Sequence, residues 1–311
     1  MSLTLAHLSD AHLSPAPFPP LAEMRLKRFM GFVNWKRSRE RTNDMPMLGR
    51  LVADMRQQKP DHIAMTGDVV NLALAIEFRR AAEWLKTLGA TTDVSFTPGN
   101  HDAYVRDAMA NLRQLFAPWT TTDGEPPKPG VFPYLRVRND VALIGLSSGL
   151  PTAPLLASGR LGKGQIAELK ALLKRTGAAG LARVVLIHHP PLARGGVGGF
   201  LRGLDDAAAF EAAIAEAGAE AILHGHSHRR MLHHLPSLAT KLRGGNVPVI
   251  GAPSCSAGAQ DASHRAAYYL VRLERAGERW RVGVRARGPL PASGGIGEQE
   301  PVIAWDEGKT P

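Results

Sequence analysis

Five short apolar runs in this chain each lead directly into a polar motif built from Asp, Asn, His and Gly. The runs are Leu3–Leu8, His62–Thr66, Val94–Thr97, Val184–Ile187 and Ala221–Leu223. Their length and composition predict β-strands, and helical patterns lie between them. Because sites in open α/β sheets form at the carboxyl ends of the strands, we expect the five motifs to converge on one rim.

The elements between and after these runs predict an α/β fold with mixed sheets. Residues 44–58 have helical spacing, with Asn43 or Asp44 as the N-cap. An antiparallel pair is expected at 134–138 and 141–146, and the Gly- and Pro-rich tail, 288–311, is expected to be irregular. Late strand signals at 247–250, 268–273 and 280–284 argue against a purely parallel sheet.

Composition predicts one large globular domain over residues 1–287. The chain has 311 residues, of which 44% are hydrophobic and 21% charged, as in ordinary globular enzymes. The single Cys255 rules out an intrachain disulfide, and no apolar run is long enough to span a bilayer. We therefore expect a cytoplasmic protein whose N-terminus is that of the mature chain.

The net charge of +10 indicates either a simply Arg-rich protein or attraction to anions. The anions could be phosphorylated substrates, nucleic acid or an acidic membrane surface. Charge alone does not choose among these partners.

The five motifs carry the side chains that divalent metals prefer, and they contain no thiolate. They are Asp10-Ala11-His12, Gly67-Asp68, Gly99-Asn100-His101-Asp102, His188-His189 and Gly225-His226-Ser227-His228. This set is large enough for two ions. We expect Asp68 to bridge them through its two carboxylate oxygens. The first ion would be completed by Asp10, His12 and His228, and the second by Asn100, His188 and His226.

Both sites keep room for water and substrate, so a water bridging the ions could act as a hydroxide nucleophile near neutral pH. Manganese or iron is the first expectation for the metals, and zinc also suits nitrogen and oxygen ligands. Three glycines precede ligands at strand ends, namely Gly67, Gly99 and Gly225. We expect that a Cβ at these positions would crowd the metals.

In this order, the five motifs resemble those of the calcineurin-like metallophosphoesterase superfamily, over the stretch from Asp10 to His228. The resemblance implies a sandwich of two mixed β-sheets flanked by helices, together with the same metal assignments. It also implies that His101 protonates the leaving oxygen and that Asp102 holds His101 in place. Asn100 is an expected contact to the substrate phosphate, and His189 could either reach that phosphate or only hydrogen-bond nearby backbone.

Within that superfamily the chain is most similar to bacterial cyclic-nucleotide and glycerophosphodiester phosphodiesterases. The chain length, the His188-His189-Pro190-Pro191 turn and the Gly225–His228 motif carry this similarity. It implies hydrolysis of a cyclic nucleotide or another small diester. Relatives often form dimers, so a homodimer is a further expectation.

A segment at 20–41 that mixes basic and aromatic residues does not match the cyclic-nucleotide enzymes. It could be a helical cover, a lid over the substrate, or an amphipathic contact with an anionic membrane on its inner face. The membrane reading favours a phospholipid or lipid-linked phosphate as the alternative substrate.

A nuclease is a further alternative, although the chain has no recognisable nucleic-acid module. The last alternative is a scaffold that has lost its activity, and the intact ligand set argues against it.

Overall fold

Two six-stranded sheets form the centre of the computed structural model, which describes residues 2–192, 201–258, 263–290 and 294–300. The strands of the first sheet are β1 (Ser2–Leu8), β2 (His62–Met65), β3 (Val94–Phe96), β10 (Tyr268–Ala276), β11 (Arg279–Pro289) and β12 (Ile296–Glu298). Their order is β12-β11-β10-β1-β2-β3. Strands β1, β2 and β3 are parallel, and the other pairs are antiparallel.

The second sheet is also mixed. Its strands are β4 (Tyr134–Arg138), β5 (Val141–Gly145), β6 (Ala182–Leu186), β7 (Ala221–His224), β8 (Met231–Pro236) and β9 (Asn246–Gly251). They lie in the order β4-β5-β6-β7-β9-β8, with parallel pairs in the middle and an antiparallel pair at each edge.

The sheets pack face to face through apolar side chains that alternate along their strands. Leu3 and Leu5 of β1 belong to the same buried cluster as Leu143, Val184 and Leu223 of the second sheet. The predicted sandwich of two mixed sheets is therefore confirmed.

Helices cover both outer faces of the sandwich. They are α1 (Leu26–Asn34), α2 (Glu40–Thr42), α3 (Met45–Gln57), α4 (Ala75–Leu88), α5 (Met109–Phe116), α6 (Lys163–Ala178) and α7 (Ala207–Ala217). Helices α3, α4 and α5 bury their apolar stripes on the first sheet, whereas α6 and α7 cover the second. The predicted cap is present: the Asp44 carboxylate accepts a hydrogen bond from the Met47 amide at 2.8 Å.

Two strands escaped the sequence prediction because both lie at sheet edges and are short or polar. In β8, His233 and His234 are exposed, so the apolar signal is weak. The tail predicted to be irregular in fact extends β11 to Pro289 and adds β12, which pairs with it. An edge strand tolerates Pro and Gly, since one of its sides needs no partner. The rest of that tail, at 291–293 and 301–311, lies outside the described residues.

The unusual segment at 20–41 is helical and is fixed to the domain. Helix α1 continues through a π-helical stretch, Trp35–Arg39, into α2. Two of its cations are buried. Lys27 Nζ donates to the carbonyls of Tyr104 and Thr152 at 2.8 and 2.9 Å.

Arg28 is the second buried cation of this segment. It donates to the Leu72 and Ala73 carbonyls at 3.1 and 2.7 Å, and it pairs with Asp107 at 3.1 Å. Lys27 and Arg28 therefore anchor the segment and cannot contact anionic head groups. Of the helices described, none has the length and apolar character needed to cross a bilayer.

A buried ion pair ties α7 to β6. The Glu220 carboxylate accepts from Arg183 Nε at 2.9 Å and from Nη2 at 2.7 Å, and both side chains are almost fully buried. Arg183 Nη1 also donates to the Ala217 carbonyl at the end of α7. Removing one member of such a pair leaves a buried charge uncompensated.

We predict that Glu220→Gln lowers the free energy of unfolding by about 3–5 kcal/mol, measured by urea denaturation. The matched control is Glu216→Gln, because Glu216 pairs with Lys170 and Lys174 on the exposed surface. Surface pairs contribute little, so the control should denature like the parent protein. Equal denaturation midpoints for the two variants would contradict this account of the buried pair.

Candidate metal centre

The five predicted motifs follow the carboxyl ends of β1, β2, β3, β6 and β7, so both sheets contribute to one site. Seven side chains meet there, namely Asp10, His12, Asp68, Asn100, His188, His226 and His228. Backbone hydrogen bonds hold the loops together: Asp10 N donates to Gly67 O at 3.0 Å, and His12 N donates to Asp68 O at 2.9 Å.

One cluster of possible ligands consists of Asp10, His12, Asp68 and His228. One ligand atom from each lies within 4.8 Å of all the others. His228 Nε2 lies 3.1 Å from Asp10 Oδ1 and 3.2 Å from His12 Nε2. The two imidazoles and the carboxylates thus face a common point.

A second cluster consists of Asp68, His188 and His226, again with ligand atoms within 4.8 Å of one another. Asn100 joins it, since its Oδ1 lies 2.8 Å from His226 Nδ1 and 3.3 Å from His188 Nε2. All seven predicted ligands therefore lie in the two groupings that the sequence suggested.

Asp68 lies between the clusters, and its Oδ2 faces both of them. Its Oδ2 lies 3.8 Å from His12 Nε2 and 3.4 Å from His188 Nε2. Its Oδ1 accepts the backbone N–H of His101 at 2.8 Å. Because Oδ1 is used in this way, Oδ2 is the atom that both clusters share.

The donor set fits two cations. Asp10 Oδ1 is buried and lies 3.1 Å from His228 Nε2, while Asp10 Oδ2 accepts the His226 amide at 3.0 Å. A carboxylate oxygen and imidazole nitrogens that face one another in a buried site suit a cation that all of them could bind.

Two histidines are oriented for metal binding by backbone carbonyls. His12 Nδ1 pairs with Val70 O at 3.2 Å, and His188 Nδ1 pairs with Thr66 O at 2.6 Å. When Nδ1 donates to a carbonyl, Nε2 carries the lone pair that a metal needs. Thr66 directly follows β2 of the first sheet and His188 comes just after β6 of the second, so this bond also links the two halves of the site.

Electrostatic interactions among the clustered side chains keep the Asp68 carboxyl ionised, which favours the binding of cations. Burial alone would raise the pKa of the Asp68 carboxyl, but the neighbouring His188 and His101 hold that pKa well below its ordinary value. Burial alone would lower the pKa of His188, yet the Asp68 carboxylate raises it to about 9. A protonated His188 thus partly balances Asp68, and a metal that binds there must displace that proton.

The backbone around the ligands is strained. Five of the ligands have positive φ angles, with Asp10 at 55°, His12 at 38°, Asp68 at 55°, His226 at 68° and His228 at 51°. This region is unfavourable for residues other than Gly, at about 1–2 kcal/mol each. Such strain concentrates at functional sites, where the surrounding structure imposes it.

All three predicted glycines are required by close approaches, although the atoms that a Cβ would crowd belong to neighbouring residues. Gly67 has a φ of 86°, and a Cβ there would lie 2.8 Å from His188 Nδ1. A Cβ at Gly99 would overlap the Asp68 carboxylate. A Cβ at Gly225 would overlap Ser9 Oγ and the Asp10 carboxylate.

His101 lies beside the clusters and is held by Asn71, which corrects the role predicted for Asp102. His101 Nδ1 pairs with the Asn71 carbonyl at 2.6 Å, and its ring stacks on Tyr104 with centroids 5.4 Å apart. Asp102 instead accepts four backbone N–H groups, those of Asp68, Val69, Val70 and Gly99. It therefore shapes the loop that presents Asp68.

Of the two roles expected for His189, the structure shows hydrogen bonds to neighbouring groups. His189 is fully buried, and its Nδ1 and Nε2 pair with Ser148 Oγ at 2.8 Å and with the Ala157 carbonyl at 3.1 Å. Burial and the neighbouring His188 lower its pKa to about 3. His189 thus supports the 148–157 loop as a neutral imidazole.

Sequence reasoning missed Tyr104 and Glu77. The buried Glu77 carboxylate accepts the amides of Asn71, Leu72 and Leu74, which fixes the loop whose carbonyl holds His101. A Glu in the third position of a helix is a known capping signal, so Glu77 was detectable. The stacking of Tyr104 has no such signal.

The clusters open into a cavity of about 560 Å³. Its floor includes Asp68, Asn100, His101, His226 and His228. Helix α1 forms one wall, so the segment at 20–41 borders the site, as the predicted lid would.

Comparison with known proteins agrees with the geometry of this site. The family model for calcineurin-like phosphoesterases matches residues 3–230. A dimetal phosphatase from Danio rerio has a similar structure, with a TM-score of 0.58 and 13% identity, covering 98% of this chain and 99% of that one. No curated protein sequence is similar enough to this chain to count as a relative.

Purple acid phosphatase PPD1 from yellow lupin (Lupinus luteus) seeds also has a TM-score of 0.58, at 11% identity. The match covers 96% of this chain and 53% of that one, so the chain spans about half the length of that protein. At these identities the likeness shows the fold.

We predict that Asp68→Ala lowers the metal content of the purified protein from about two ions per chain to one or none, because both clusters lose their shared oxygen. The number of metal ions per chain is measured by elemental mass spectrometry after dialysis. His234→Ala, which removes an exposed histidine in β8, is the matched control and should keep both ions. If Asp68→Ala retained two ions per chain, Asp68 would not be the bridge.

Proposed function

This chain belongs to the calcineurin-like phosphoesterase family, and from that premise we propose that it hydrolyses phosphodiesters at a centre of two divalent metals. Family membership makes the chain a metal-dependent phosphoester hydrolase. The choice of a diester over a monoester is the proposal.

The observation that carries the proposal is the single Asp68 oxygen facing both ligand clusters, with His101 beside them. Asp10, His12 and His228 would hold one ion, and Asn100, His188 and His226 the other. When bound, two such ions polarise the phosphoryl oxygens and lower the pKa of water so that it can attack phosphorus. Manganese or iron is our first choice for the ions, and zinc also suits these ligands.

His101 is suited to protonate the leaving oxygen of the ester. Its Nδ1 is engaged with the Asn71 carbonyl, so Nε2 is the ring nitrogen that can deliver a proton. The ring is held between Tyr104, which stacks on one face, and His12, which meets it edge-on at 4.9 Å between centroids. A fixed donor of this kind favours esters whose leaving group is a poor one, as in alkyl phosphodiesters.

The substrate is therefore proposed to be a small organic diester, such as a cyclic nucleotide or a glycerophosphodiester. The cavity gives such a diester a route to the metal centre, since Asn100 and His101 both line it. A purified protein loaded with manganese that leaves bis(p-nitrophenyl) phosphate intact would overturn the proposal.

We predict that His101→Ala lowers turnover of a glycerophosphodiester about 10²–10⁴-fold, the usual contribution of a general acid. The loss should be much smaller with bis(p-nitrophenyl) phosphate, because p-nitrophenolate departs without a proton. The test measures steady-state rates with both substrates, together with the metal content of the variant. A loss of equal size for both leaving groups, with the metals retained, would contradict the role of His101.

A further inference from the structure

The cavity above the metal centre has two chemically different sides. The floor is polar and carries the ligands, whereas Phe29, Met30 and Val33 of α1 face it from one wall. Leu155 and Leu156, from the loop before α6, line the cavity as well. A small polar diester would need only the floor.

The apolar wall is exposed where a folded protein would normally cover it. Phe29 is 48% exposed, Met30 37% and Leu155 83%. Single exposed apolar residues are ordinary, but several that line one cavity together with polar groups mark a binding surface.

The wall is also held firmly in place. Lys27 and Arg28 donate hydrogen bonds to backbone carbonyls of the domain. Lys27 Nζ also lies 4.4 Å from the centre of the Tyr104 ring. Gly31 allows α1 to approach the Tyr104 hydroxyl, which a Cβ would overlap. Helix α1 therefore turns its apolar side chains towards the cavity, while two of its cations are used for anchoring.

Two further cations line the cavity. Arg37 and Arg202 both line it and are exposed. The cavity thus offers a metal centre for a phosphate, guanidinium groups for negative charge, and an apolar wall for hydrocarbon.

We propose that the substrate is an amphiphilic phosphodiester whose alkyl or acyl chain lies against Phe29, Met30 and Leu155 while its phosphate lies on the metal centre. This inference rests on the proposed function and narrows its substrate class. Arg37 and Arg202 meet the negative charge of the head group. Each methylene buried against the wall should raise kcat/KM about threefold, until the chain outgrows the cavity.

The test uses the manganese-loaded full chain and p-nitrophenyl diesters whose second group is methyl, butyl or octyl. The leaving group is constant, so differences in kcat/KM report the second group alone. We expect kcat/KM to rise from methyl to octyl. The octyl-to-methyl ratio should fall towards one in Phe29→Ser and in Leu155→Ser. Leu238→Ser changes an exposed leucine outside the cavity lining and should keep the parent ratio.

Equal kcat/KM for the three esters, or an unchanged ratio in both wall variants, would overturn the inference and leave diester hydrolysis intact. If none of the esters is hydrolysed, the proposed function fails instead. Calorimetric binding of octyl and methyl phosphonate then decides the inference by itself: tighter binding of the octyl compound supports it, and equal binding refutes it.

Amphiphiles reach such a wall from solution or from a membrane. The octyl ester is therefore also presented in phosphatidylglycerol vesicles. A chain-length preference in either setting supports the inference, and the setting with the higher rate identifies the source.

Discussion

The site depends on one carboxylate oxygen, Asp68 Oδ2, which faces two groups of candidate metal ligands, each drawn from both sheets. Its position follows from backbone hydrogen bonds: Asp102 accepts the amides of Asp68, Val69 and Val70, and the other Asp68 oxygen accepts the amide of His101. The sandwich brings the strand ends of both sheets to this oxygen. Without that convergence, the histidines of β6 and β7 would have no partners in β1 and β2.

The candidate metal centre has features that are unfavourable for folding, and packing elsewhere in the fold compensates for them. Five of the candidate ligands have positive φ angles, and the Asp10 carboxylate is fully buried. Both features are unfavourable for folding and favourable for binding cations, as expected of a site prepared for its ligand. The large apolar layers between the sheets and beneath the helices offset this cost.

Much of this was predictable, and the failures have physical causes. The ligands were found because strand periodicity and residue type both point to the same rim. The roles of Asp102 and Asn71 were not found, because hydrogen bonds to backbone groups leave little trace in residue type. The strand Met231–Pro236 was missed because its exposed face is polar.

The most direct test of the central claim is a crystal structure of the manganese-loaded protein with anomalous scattering data. Our account predicts two anomalous peaks about 3.5–4 Å apart, with Asp68 Oδ2 between them. A single peak, or two peaks that do not share Asp68, would contradict it.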